Sequence, residues 1–341
     1  MSIKNELKKN IKLYLLDKIG NEENKFIKET ADNFGISRNS IYRYIHEMER
    51  DNIIRHNEQN KSYEIVTNKK IIELCRSNKE LRSEDAIYNI HIRSLLESLP
   101  ENVRGIWSYA FSEMMNNSIE HSDAEHVKII ISQSYTSTSI TIIDDGIGIF
   151  RKIKEYYDFD TLDDAICELF KGKLTTDSEN HSGEGIFFTS RVLDFFCAIS
   201  DNKIFTHHLF NDKQWNTYEL GLDFSNGTAI TMQLSNFSQK NLSDTLNEFS
   251  DVESGFTKTR IPIKNMFGTF PVSRSQAKRL CNRLEAFQEI TLDFNNVSEL
   301  GQGFSHQLFV LFQNKHPELK IHCINVCDNV QKMINHVRPR G

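Results

Sequence analysis

The chain has 341 residues, of which 38% are hydrophobic and 26% are charged, and its net charge is −6. This length predicts two or three domains of roughly 100–150 residues each, and the composition excludes a disordered chain. No apolar stretch approaches the roughly 18–20 residues of a membrane helix, and the polar first residues are unlike a signal peptide, so we expect a cytoplasmic protein without a membrane partner.

The N-terminal segment predicts three helices followed by two short strands. Apolar residues recur at helical spacing in three stretches: 3–18, 25–34 and 38–51. Gly35 permits the tight turn before the third helix, and Ser37 is a good N-cap for that helix. Two short apolar strands joined by a polar loop come next: 53–54, 63–66 and the loop 57–61.

This order of elements resembles the winged helix-turn-helix of bacterial regulators, and we assign it to residues 1–70. In that motif the second helix of the turn enters the major groove. Its polar face would then offer Arg38, Asn39, Tyr42 and Arg43 to duplex DNA. Residues 1–70 carry 14 Lys and Arg against 11 Asp and Glu, whereas the remainder carries 27 against 36. The same fold also serves as a protein-docking module, so both interpretations stay open.

The next segment, 71–100, carries apolar residues that predict a connecting helix ending near Pro100. Beyond it, the most informative stretch reads Glu113-Met-Met-Asn-Asn117-Ser-Ile-Glu-His-Ser. Glu113 and Asn117 are four residues apart, so on a helix they share one face. An Asn oxygen can coordinate Mg²⁺ beside phosphate oxygens. A Glu one turn earlier can accept a proton from a group that attacks the γ-phosphate.

This stretch resembles the N box of the GHKL superfamily, which includes histidine kinases, DNA gyrase, Hsp90 and MutL. It is especially similar to the anti-sigma-factor serine kinases. Two predicted strands, 127–132 and 139–143, then lead into Asp144-Asp-Gly146-Ile-Gly148, which is similar to the DxGxG box of the superfamily. The resemblance implies that Asp144 accepts a hydrogen bond from the adenine amino group of ATP. It also implies that Gly146 and Gly148 let the backbone approach the nucleotide.

A second glycine box, with Gly183 and Gly185, precedes a predicted amphipathic helix over 187–196. Glycines at the start of a helix expose N–H groups to phosphate, and the helix dipole favours the anion. The usual box of the superfamily carries a third glycine about where His181 stands, so this box departs from the usual pattern at that position.

The segment 155–182 is interpreted as a mobile lid over the phosphates. Within it, Lys173 is a candidate contact to the γ-phosphate, with a solvated lysine as the alternative. Thr228 opens a strand that resembles the last box of the superfamily, where a Thr hydroxyl supports the phosphate end or a water near the aspartate. The sequence contains no P-loop pattern.

The C-terminal residues 252–341 alternate strands and helices, which predicts a small α/β domain. The predicted strands are 259–263, 289–294 and 320–326, and the predicted helices are 273–287, 303–313 and 328–336. Ser273 and Gln276 form a capping-box pattern. The string from Ile290 to Phe304 looks like a STAS-like domain, related to anti-sigma-factor antagonists. Those antagonists carry a phosphorylatable serine that is missing here, and we interpret the nearby Ser305 as a helix-surface residue.

The predicted fold class is therefore multidomain α/β. It comprises a winged helix-turn-helix (1–70), a connecting helix (71–100), a GHKL-type α/β sandwich (101–245) and a small STAS-like α/β domain (252–341). The leading hypothesis is a transcriptional or signalling regulator switched by Mg-ATP, with a protein partner at the STAS-like domain. A serine kinase or phosphotransfer switch is the alternative, and a slow ATPase gate comes third. A homodimer is compatible with each.

Overall fold

The structure is a computed structural model that describes residues 3–21, 25–174, 183–207, 226–251 and 255–338. The chain divides into two compact units. The first comprises residues 1–71 with 130–140 and 233–238, and the second comprises the remainder. Within the described residues, no helix combines the length and apolar character that crossing a bilayer requires.

The first unit contains the three helices and the strand pair that the sequence predicts. Their bounds are α1 (Ile3–Gly20), α2 (Phe26–Phe34), α3 (Arg38–Arg50), β1 (Ile54–Asn57) and β2 (Ser62–Ile65). Gly35 ends α2 with φ 62°, and the Ser37 side chain accepts a hydrogen bond from the Ser40 amide at 3.2 Å. Strands β1 and β2 pair antiparallel. Apolar side chains from these helices form one core, with Leu15, Ile41 and Ile45 fully buried.

A six-stranded sheet dominates the middle of the chain. Its strands are β3 (Asn68–Cys75), β4 (His126–Gln133), β5 (Ser137–Asp144), β6 (Phe195–Ser200), β7 (Lys203–Thr206) and β8 (Thr228–Ser235). Their order is β3-β4-β5-β8-β6-β7. The accompanying helices are α4 (Glu84–Ile87), α5 (Arg93–Leu96), α6 (Glu101–Asn116), α7 (Ile149–Tyr156), α8 (Leu162–Lys171), α9 (Gly185–Val192) and α10 (Leu242–Phe249). Among the described residues of this region, π-helical turns occur at Tyr88–Ile92 and Asn117–His121.

Two sequence predictions are wrong in this region. The helix predicted over 71–100 is replaced at its start by β3, whose burial alternates with Ile72 and Leu74 inside, and helix is confined there to residues 84–96. The helix predicted over 187–196 ends at Val192, because Phe195 and the residues after it form β6. In β3 a two-residue period, typical of a strand, competes with the helical spacing, whereas β6 is a short run buried almost throughout, which periodicity alone does not distinguish from a helix.

The C-terminal part builds a second, three-stranded sheet. Its strands are β11 (Lys258–Pro262), β12 (Glu289–Asp293) and β13 (Lys320–Ile324), paired parallel in that order. A short pair, β9 (Ser250–Asp251) and β10 (Gly255–Phe256), precedes it. The helices are α11 (Ile263–Phe267), α12 (Arg274–Cys281), α13 (Gln302–His306), α14 (Gln313–Lys315) and α15 (Asp328–Val337). The capping box of Ser273 and Gln276 is confirmed.

One hydrophobic core joins this C-terminal sheet to α9. The α9 residues Phe187 and Phe188 belong to the same buried cluster as the strand and helix residues Ile290, Leu292 and Phe304. The ring centroids of Phe187 and Phe256 lie 4.6 Å apart. The C-terminal sheet is therefore not an independent lobe, because its core continues into the elements that follow residue 183.

Ser305 corrects a further expectation. The sequence suggested a serine on a helix surface, but its side chain is fully buried on α13. Its hydroxyl has no hydrogen-bond partner among the described residues. A hydroxyl in that environment is closed to an external phosphoryl donor.

Candidate functional site

A cavity of about 320 Å³ opens in the second unit and gathers seven of the predicted site residues. These are Glu113, Asn117, Asp144, Gly148, Gly183, Gly185 and Thr228. They come from α6, the end of β5, the start of α7, the start of α9 and the start of β8. Segments that are distant in sequence therefore converge on one pocket, whose volume is at the lower end of the range for small-molecule sites.

Glu113 and Asn117 lie at the end of α6, where the helix changes character. Asn117 is the first residue of the π-helical turn Asn117–His121, and such turns occur frequently at functional sites. The Asn117 amide nitrogen lies 3.9 Å from the Met114 sulfur. Its amide oxygen is a neutral, hard donor of the kind that fits Mg²⁺, and Asn117 lines the cavity.

The Glu113 carboxylate packs directly against the beginning of α9. A Cβ added to Gly185 would lie 2.0 Å from the Glu113 Oε2 atom, so a larger residue at this position would require the Glu113 carboxylate to move. Burial and the charges of Glu113 and Glu184 together raise the pKa of the neighbouring Tyr109 hydroxyl. The Glu113 carboxylate thus lies beside the first backbone amides of α9, a position suited to phosphate chemistry.

Asp144 is a buried carboxylate held by donors from three parts of the chain. Its Oδ1 atom accepts from the Gly146 amide at 3.1 Å and its Oδ2 atom accepts from the Ser118 hydroxyl at 3.4 Å. A backbone hydrogen bond from Thr228 also stabilises the ionised form. Burial is the larger influence and raises the pKa of Asp144 to about 6. The hydrogen bonds to Asp144 therefore do not fully offset the cost of burying its charge, and a hydrogen-bond donor from a ligand would stabilise the ionised carboxylate.

We expect the ionised Asp144 to destabilise the nucleotide-free protein. Its pKa in the folded state, about 6 against 3.8 as the reference value, means that the folded chain binds this proton more tightly than the unfolded chain does. Stability from this group is therefore present at low pH, declines as the pH rises from about 4 to 6, and is absent above 6. Asp144→Asn should then raise the free energy of unfolding by up to about 3 kcal/mol at pH 7.5.

Urea denaturation of both proteins at pH 4.5 and pH 7.5 would measure this difference. The stabilisation by Asp144→Asn should shrink at the lower pH, where wild-type Asp144 is already protonated. An equal effect of the substitution at both pH values would contradict the raised pKa.

The surroundings of Gly146 account for its lack of a side chain. It is not among the described residues that line the cavity. A Cβ there would meet the Ser122 carbonyl oxygen at 2.0 Å, and the Ile147 amide donates to the same oxygen at 2.9 Å. Close packing of this turn against the end of the N box explains the glycine. The Thr228 hydroxyl likewise accepts from the Ile149 amide at 3.0 Å and so fixes the start of α7.

Lys173 also departs from its predicted position. Its ammonium donates to the Ala286 carbonyl at 2.8 Å and lies 5.0 Å from the centre of the Phe287 ring. It is absent from the described lining of the cavity, so its placement does not support a contact to the γ-phosphate. Residues 175–182 of the predicted lid, with His181, lie outside the described residues. Immediately beside them, the Leu174 amide donates to the Gly183 carbonyl at 3.0 Å.

Sequence reasoning missed Lys152, a cation in the described lining of the cavity. Lys152 belongs to α7, and its ammonium donates to the His121 carbonyl at 2.6 Å. Both Lys152 and His121 line the cavity, as does Glu184. The position of Lys152, one turn into the helix that follows Gly148, was a usable signal, because the DxGxG box already placed that helix beside the nucleotide.

The four residues assigned to DNA lie together on α3. Arg38, Asn39, Tyr42 and Arg43 are all exposed, and 45% of the large Tyr42 side chain is accessible. The opposite face of the helix buries Ile41, Ile45 and Met48. The helix therefore presents one polar face with two arginines.

Comparison with known families identifies two domains. A family model described as histidine kinase-, DNA gyrase B-, and HSP90-like ATPase matches residues 106–194. A second, described as a STAS-like domain of unknown function (DUF4325), matches residues 276–331. No curated protein matches the chain. The chain thus contains a GHKL ATPase domain, which implies nucleotide binding, and a STAS-like domain.

Proposed function

We propose that this protein is an ATP-binding regulator in which Mg-ATP in the ATPase domain governs how the rest of the chain engages its partners. The observation that carries the proposal is the convergence of Glu113, Asn117, Asp144 and Thr228 on one cavity. The first three of these residues lie within the match to a GHKL ATPase, residues 106–194. Calorimetric titration with Mg-ATP tests it directly. A wild-type chain that shows no heat of binding at millimolar nucleotide would overturn the proposal.

Each residue has a separate part in this proposal. Asp144 accepts a hydrogen bond from the exocyclic amine of adenine, a charge-assisted contact in a buried setting. Asn117 offers its amide oxygen to Mg²⁺, which would neutralise phosphate charge. The first amides of α9 face the phosphates, and the helix dipole favours their charge there. Glu113 is placed to accept a proton from an attacking nucleophile.

We further propose that the N-terminal unit is a winged helix-turn-helix whose α3 binds duplex DNA. The support is positional, since α3 follows a glycine turn and a capped start and exposes Arg38, Asn39, Tyr42 and Arg43 on one face. Arginine side chains on such a face suit phosphates and guanine edges. Docking to another protein is the alternative for the same surface.

Replacing Arg38 and Arg43 by alanine should weaken binding to a genomic DNA library. The plot of log K against log salt should become shallower by about one unit for each lost phosphate contact. The matched control is Lys278→Ala with Lys332→Ala, which removes the same charge from exposed positions elsewhere. A wild-type chain that retains no DNA at low salt would show that this surface docks protein instead.

A serine kinase or phosphotransfer switch is the second candidate, and the position of Glu113 favours it. A carboxylate packed against the start of α9 is required for chemistry at the γ-phosphate but not for binding alone. Incubation with γ-labelled ATP separates the two candidates. A regulator releases free phosphate or nothing, whereas a kinase leaves label on this chain or on an added partner.

A further inference from the structure

The end of α8 is held by a turn of the STAS-like domain. The Lys171 ammonium is fully buried and donates to the carbonyls of Arg279 and Asn282, at 2.9 Å and 2.7 Å. It also donates to the Glu168 carboxylate at 2.6 Å. A buried lysine with a carboxylate and two carbonyls fixes the backbone that supplies them, because an ammonium left without these partners would be strongly unfavourable.

A reciprocal pair of hydrogen bonds continues the same attachment. The Lys173 ammonium donates to the Ala286 carbonyl at 2.8 Å. In return, the Arg283 guanidinium donates to the Lys173 carbonyl at 2.9 Å. Arg283 also lies over the ring of Tyr157, 4.2 Å from its centre. We call these three side chains, Lys171, Lys173 and Arg283, with the carbonyls that they bind, the clasp.

Arg283 makes its contact from a constrained position. Its backbone has φ 58°, a left-handed conformation that is uncommon for a non-glycine residue. Its Nη1 atom is buried and has no hydrogen-bond partner among the described residues. Such a conformation persists only where the surroundings determine it, and it is typical of functional and switching segments.

The backbone that the clasp holds is a wall of the nucleotide cavity. Gly172 and Leu174, on either side of Lys173, both line the cavity. The Leu174 amide also closes onto the Gly183 carbonyl, and Gly183 begins the glycine box. Movement of this wall therefore has to alter the hydrogen bonds to turn 279–286.

We propose that Arg283 is a positioning residue through which the STAS-like domain holds the wall of the nucleotide cavity, so that nucleotide occupancy is coupled to the turn 279–286. The inference rests on the proposed function, since it requires nucleotide in the cavity. Thermodynamic linkage makes the coupling reciprocal. A nucleotide that stabilises the wall also stabilises the turn, and a turn that has lost Arg283 binds nucleotide less well because the wall is less pre-organised.

The test combines calorimetry with hydrogen–deuterium exchange on the full chain, with Mg-ATP as the probe. In the wild type, Mg-ATP should slow exchange in peptides that cover 279–286. In Arg283→Gln, affinity for Mg-ATP should fall about fivefold or more, and the slowing in 279–286 should be lost. The control is Arg274→Gln, an exposed arginine of the same domain, which should behave as wild type.

Each alternative outcome has a distinct meaning. A wild type that binds Mg-ATP without any change of exchange in 279–286 overturns the coupling and leaves the proposed function intact. Equal affinities of Arg283→Gln and Arg274→Gln overturn the role of Arg283. A wild type that fails to bind Mg-ATP overturns the proposed function and this inference together. If Arg283→Gln does not fold, the exchange experiment on the wild type still decides the coupling.

Discussion

Replacement of Glu113 by alanine is expected to lower ATP turnover by about 10²–10⁴-fold, the usual contribution of a positioned general base. Binding of ATP should persist, because the contacts proposed for adenine and for Mg²⁺ come from Asp144 and Asn117 instead. The physical reason is the placement of the carboxylate against Gly185, at the first amides of α9. Single-turnover hydrolysis measures the chemistry, and calorimetry measures binding in the same variant.

The matched control for Glu113 is Glu120→Ala, which removes an exposed carboxylate from the following π-helical turn. Turnover by this control should equal that of wild type. Asn117→Ala should instead weaken the Mg²⁺-dependent part of binding. Undiminished turnover by Glu113→Ala would show that another group acts as the base, and Glu184, the second cavity-lining glutamate, would be examined next. Absence of turnover in wild type would count against the kinase.

Replacement of Asp144 by asparagine should weaken ATP binding by roughly ten- to a hundredfold, because a hydrogen bond to a charged group contributes about 1.5–3 kcal/mol. Wild type should also prefer ATP to GTP, since guanine presents a carbonyl where adenine presents an amine. The carboxylate is buried and already takes up protons readily, with a pKa of about 6. The affinity of the wild-type protein for ATP should therefore fall as the pH drops through that value.

The neighbouring Asp145 provides the control. Its carboxylate is half exposed and accepts from the His126 amide at 2.9 Å, outside the described lining of the nucleotide cavity. Asp145→Asn should leave both ATP affinity and base preference unchanged. Equal wild-type affinities for ATP and GTP, or an unaffected Asp144→Asn protein, would remove Asp144 from the adenine site. Together with the expected gain in stability, Asp144→Asn would exchange function for stability, as is common at binding sites.

Local patterns were enough to locate most of the candidate site. Glu113 and Asn117 share a helix face because of their spacing. Asp144 ends a strand whose alternation is clear, and Gly148 precedes the next helix. The helix starts at Ser37 and Ser273 followed from side-chain capping, which depends on neighbours three residues away. Such short-range signals persist whatever the tertiary context.

The errors arose where distant residues decide the outcome. Strand β3 pairs with β4, and its residues Ile72 and Leu74 are buried on the same face of the sheet. A short apolar run does not by itself predict such a pairing. Lys173 was a candidate contact to the γ-phosphate, with a solvated lysine as the alternative, but its ammonium donates to the Ala286 carbonyl, more than a hundred residues later. The burial of Ser305 and the continuity of the core from Phe187 to Phe304 depend on the same long-range packing.

The shared core also has a consequence for evolution, because neither domain can be lost or exchanged without exposing apolar residues of the other. A gene that lost the codons after residue 250 would encode an ATPase domain in which Phe187 and Phe188 lose their packing against the C-terminal residues. Lys171 would also lose its hydrogen bonds to two carbonyls. Recombination that exchanged only the C-terminal domain would remove the same contacts, unless the replacement domain supplied matching aromatic packing and a turn like 279–286. We therefore expect related chains to keep or lose the two domains together.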